Sequence, residues 1–67
     1  MKVQLINLGR NNINKIVYPA DKQALQREIN RHVLTTCWTL EQSPKEENEY
    51  YVLRGMDVIG MIKILKQ

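Results

Sequence analysis

His32 is the only imidazole in the 67 residues, and Glu28 stands four residues before it. On a helix that spacing is one turn, so the carboxylate could orient the ring as one orients a general base. Cys37 adds a thiol, which with His32 as base would be a candidate nucleophile. Both observations have plainer readings, and these are preferred. Glu28 and His32 make a modest i,i+4 pair at the edge of a core. A single Cys beside Trp38 in a strand serves as a small buried hydrophobe.

Nothing in the chain completes a catalytic site. There is no G-x-x-x-x-G-K-[ST] and no G-x-G-x-x-G. Gly55 and Gly60 frame Met56–Ile59, which reads as a turn and a bulge rather than a phosphate cradle. Glu46, Glu47 and Glu49 share one polar stretch without the EF-hand pattern. One His and one Cys are too few for a closed zinc site, and one Cys forms no intramolecular disulfide. The sequence therefore points to no catalytic residue, no metal and no cofactor, and the chain is not expected to be an enzyme.

Binding chemistry has more to draw on. Ten Lys and Arg against seven Asp and Glu leave a formal +3, unevenly spread. Residues 1–34 hold six basic and two acidic side chains, residues 35–49 one and four, and residues 50–67 three and one. Arg10 and Lys15 fall in or near a polar turn, and Arg27 and Arg31 stand one helical turn apart. Such groups can meet phosphates and base edges, so a nucleic-acid or nucleotide-binding module is the alternative reading. It ranks second. A net +3 is weak for a nucleic-acid domain, no known nucleic-acid motif is present, and charged helix faces are usually just solvated. The acidic run from Lys45 to Glu49 fits a solubilising loop better than a partner contact.

These residues need a scaffold, and the pattern predicts a single small α+β domain over residues 1–67. Lys2 to Leu8 and Ile13 to Tyr18 read as a hairpin across the turn Gly9-Arg10-Asn11-Asn12. Pro19 ends it. Asp21 is placed to cap a helix from Lys22 to Leu34, whose apolar stripe is Leu25, Ile29 and Val33. Three strands follow: Thr35 to Glu41, Glu49 to Arg54 and Val58 to Lys66. The order is β-β-α-β-β-β, an antiparallel sheet with one helix on one face. No apolar run reaches the ~18 residues of a membrane span and no signal peptide is evident, so a cytoplasmic setting is expected.

The strands carry apolar residues on both faces. Alternation puts Val58, Ile62 and Ile64 on one side of the last strand and Ile59, Met61 and Leu65 on the other. The first strand divides Val3 and Leu5 from Ile6 and Leu8, and the fourth divides Tyr51 and Leu53 from Tyr50 and Val52. One short helix covers only one face. The other needs a coiled sheet, a second copy of the chain, or another protein. A chain of this size, without disulfide or metal, gains most from association. The expectation is thus a non-enzymatic interaction protein. It would be a homo-oligomer that binds or inhibits a macromolecular partner, of the kind phages or mobile elements encode. Tyr50, Tyr51, Ile59, Met61 and Leu65 are the candidate interface. Trp38 and one of the two tyrosines are expected to fill the core.

Overall fold

The computed structural model describes residues 1–34 and 37–65. Five strands and one helix follow in the order β1 (Lys2–Leu8), β2 (Ile13–Val17), α1 (Lys22–Asn30), β3 (Thr39–Gln42), β4 (Glu49–Arg54) and β5 (Asp57–Leu65). They form one antiparallel sheet in the spatial order β2-β1-β5-β4-β3. The helix links the β1–β2 hairpin to the β3-β4-β5 meander, and β5 then pairs with β1 in the middle of the sheet. No helix among the described residues is long and apolar enough to cross a membrane.

Local chemistry explains the helix ends. Asp21 is extended, and its carboxylate accepts the Ala24 N–H at 2.8 Å, satisfying one of the unpaired donors of the first turn. The helix closes at Asn30, short of the expected Leu34. His32 donates to Ile29 O at 3.0 Å, a tightened last turn that lets the chain leave the helix while Val33 still reaches the core.

The core lies between α1 and one face of the sheet. Val3, Leu5 and Leu8 of β1, Val52 of β4 and Ile62 of β5 pack with Leu25, Ile29 and Val33. Ile13, Val17, Trp38, Tyr50, Ile59 and Ile64 close its margins. The helix-covered stripe and the partition of β4, with Tyr50 and Val52 inward, are as the pattern predicts.

Two bulges overturn the simple alternation in the other central strands. The β1–β2 register shifts between Leu5 and Leu8, where Asn7 adopts a positive φ of 48°. The extra residue turns Leu8 onto the same buried side as Val3 and Leu5, leaving Ile6 on the opposite face. In β5 the register shifts so that Val52 faces Gly60 while Leu53 faces Val58. Ile59 is the supernumerary residue, and it packs against the core instead of lying uncovered. Val58 is 59% exposed instead of inward. Gly60 is required by this crossing, because a Cβ there would lie 2.8 Å from Leu8 Cα and 2.7 Å from its Cδ1.

The third strand also differs. It begins at Thr39, so Cys37 and Trp38 precede it, and Cys37 is exposed rather than a buried strand residue. Trp38 instead folds toward the helix, its indole donating to Asn30 Oδ1 at 2.6 Å. Thr35, Thr36 and Lys66, which the pattern gave to strands, lie outside the described residues.

Candidate functional site

The face of the sheet away from α1 has no covering element among the described residues. Its side chains follow from the register. Ile6, Met61, Tyr51 and Glu41 form one row across β1, β5, β4 and β3. Ile16, Gln4, Lys63 and Glu49 form the next, with Lys2 and Leu65 beyond it. Val58, Leu53 and Thr39 lie on the other side of the Ile6 row. An apolar strip, Ile6–Met61–Tyr51 with Leu53 and Val58, is thus bordered by a polar row. Lys63 and Glu49 are cross-strand partners within 3.9 Å, a weak ion pair at the edge of the strip. The long side chains shield one another, so Ile6, Met61, Tyr51, Leu53 and Leu65 are each half-buried.

The five candidate interface residues are therefore separated. Tyr51, Met61 and Leu65 lie on the open face. Tyr50 packs beside Trp38 at the margin of the core, and the bulge takes Ile59 there too. Ile6 and Leu53 belong to the open strip and were not singled out. Alternation shows both, Leu53 beside Tyr51 and Ile6 opposite Leu5, and the bulge moves only Leu8.

The four basic candidates also separate. Lys15 Nζ lies 3.3 Å from Glu28 Oε1, and Arg31 Nη1 lies 3.5 Å from Glu28 Oε2. His32 Nε2 lies 3.7 Å from Glu28 Oε1. The i,i+4 pair read from the sequence is present, but it is part of a four-residue cluster tying the helix to β2. His32 Nε2 is buried and makes no hydrogen bond among the described residues. Cys37 is exposed, in the segment before β3. Arg27 remains exposed on the helix.

Arg10 takes part in a different arrangement. The β1–β2 and β4–β5 turns lie at the same end of the sheet, beside the end of α1. A cleft of about 610 Å³ opens there. Arg10, Arg54, Asn7 and Asn12 supply its polar groups, and Ile6, Val33, Val58 and Met61 are among its apolar walls. Gly9 makes the junction possible. Its φ is +74°, its N–H donates to Ile59 O at 2.8 Å, and its bare Cα faces the His32 carbonyl. Ile6, Val58 and Met61 belong to both cleft and open face, so the two are continuous. Arg54 could not be joined to Arg10 from the sequence, because 44 positions separate them and only the β1–β5 pairing brings their turns to one end.

No group of three or more His, Cys, Asp or Glu among the described residues could hold a metal ion. Comparison with known proteins finds no matching family model, no matching curated protein and no matching solved structure.

Proposed function

We propose that this chain is a non-enzymatic interaction protein that acts in the cytoplasm as a homo-oligomer and binds or inhibits a macromolecular partner. The observation that carries this reading is the strip Ile6–Met61–Tyr51, with Leu53 and Val58, on a sheet face that no element among the described residues covers. Contiguous apolar surface of this kind marks interaction sites. A second copy is a suitable cover on two grounds. One is that the strip is bordered by half-buried Leu65 and exposed Ile16, which extend the apolar surface a second copy could bury. The polar margin also carries both signs, Lys2 and Lys63 with Glu41 and Glu49, as a two-fold self-complementary contact needs. The nucleic-acid alternative draws less support, since Lys15 and Arg31 are engaged by Glu28.

Sedimentation velocity tests the oligomer. Wild type should sediment as a dimer at micromolar concentration. Tyr51→Lys puts a charge at the centre of the strip, opposite Glu41, so the monomer tolerates it. It should raise the dissociation constant ~30-fold or more, the loss expected on removing an aromatic anchor. A monomeric wild type, or a Tyr51→Lys variant that associates as wild type does, refutes the reading.

A further inference from the structure

The cleft between the two turns adjoins the open face and adds polar groups that the face lacks. Arg10 and Arg54 are exposed, and neither has an ion-pair partner among the described residues. No Asp or Glu lines the cleft among the described residues, and Asp57, which stands across from Arg54 in the β4–β5 register, lies outside its lining. Guanidinium forks match carboxylates in a bidentate manner, and Asn7 and Asn12 add amides beside them. The walls are aliphatic, and no Trp, Tyr or Phe is present among the described lining residues. A nucleobase would find no aromatic ring there to stack on. An aliphatic side chain would find Val33, Leu34 and Ile59, which lie outside the open strip.

We propose that this cleft recognises an acidic peptide segment of a partner protein, holding carboxylates on Arg10 and Arg54 and an aliphatic side chain on the wall of Val33, Leu34 and Ile59. This names a partner chemistry within the reading of the chain as an interaction protein, and it does not need the chain to self-associate.

The test is an amide chemical-shift titration of the ¹⁵N-labelled chain. The probes are acetyl-Glu-Leu-Glu-amide, acetyl-Lys-Leu-Lys-amide and ATP. The acidic peptide should shift the Gly9, Asn12 and Gly60 amides saturably, and the basic peptide should not. Arg10→Gln with Arg54→Gln should weaken binding about tenfold, the sum of two partly exposed charge-assisted contacts. Both arginines are exposed, so the variant should keep the wild-type pattern elsewhere. The proposal fails if the acidic peptide gives no saturable shift, or if binding survives the double substitution. It fails if ATP binds the same residues more tightly, which would make this a nucleotide site. It also fails if those amides shift only with protein concentration, which would make the occupant a second copy. The titration reads local shifts in monomer or dimer, so its failure and that of the oligomer are distinguishable.

Discussion

Gly9 joins the β1–β2 turn to the end of α1, and alanine substitution measures how much that junction matters. Two terms act on Gly9→Ala. The first is conformational: φ is +74°, where a Cβ costs about 1 kcal/mol. The second is steric: the new Cβ would run into the His32 carbonyl oxygen, with the carbonyl carbon 3.0 Å away and Val33 Cγ1 at 3.7 Å. That oxygen is backbone, so the turn itself must move. Moving it endangers the Gly9 N–H···O=C Ile59 bond, worth about 1 kcal/mol, and loosens Val33, which is 9% exposed. The total comes to about 3 kcal/mol. Gly55→Ala is the control, because φ there is +63° but a Cβ meets nothing within 4 Å among the described residues. It should cost only the conformational ~1 kcal/mol. Urea unfolding followed by Trp38 fluorescence separates the two. With a slope of about 1 kcal/mol/M, the midpoint should fall by about 1 M for Gly55→Ala and about 3 M for Gly9→Ala. A chain this size has only about 3–10 kcal/mol in total, so the larger effect approaches unfolding. All variants should be compared at one protein concentration, since association shifts the midpoint. Equal shifts for the two variants would refute the close approach of turn and helix.

Two further perturbations test the core and the ionic cluster. Ile29→Ala removes a fully buried side chain from the α1–sheet contact and should cost about 2–5 kcal/mol by calorimetry; a loss under about 1 kcal/mol would place the helix elsewhere. Glu28→Ala removes the carboxylate that Lys15 and Arg31 pair with and should cost about 1 kcal/mol at low salt, less near 1 M salt; a salt-independent loss would mean that packing, not charge, holds β2 to the helix.

Much of the architecture is legible in the chain because its signals are local. Asp21 followed by the Leu25–Ile29–Val33 stripe specifies the helix start and its buried face, and Tyr50 and Val52 go inward as a period of two requires. The start of β3 is not legible, because Thr and Trp have strand propensity while Trp38 finds its partner, Asn30, on the helix. Tertiary contact decides that segment. The Glu28–His32 spacing is visible, but Lys15 enters the cluster only through the packing of β2 against α1.

The bulges matter most, because they decide what the open face and the cleft are made of. Period-two reasoning carries every side chain beyond a bulge to the wrong side, and Leu8, Val58 and Ile59 are the three it misplaces. The β5 bulge is marked by Gly60, which with Gly55 reads as a turn and a bulge, whereas the β1 bulge has no signature that stands out. Asn7 takes the positive φ that Asn tolerates, and Gly60 supplies the space where Leu8 crosses it. The same distortions that bring Leu8 and Ile59 into the core leave Ile6, Val58 and Met61 at the mouth of a cleft between two turns. A flat, regular sheet of this sequence would strand Leu8 and Ile59 on the open face. The bulges therefore complete the core and shape the open face and the cleft in one step. A substitution that straightens β1 or β5 should weaken the fold and open the cleft together.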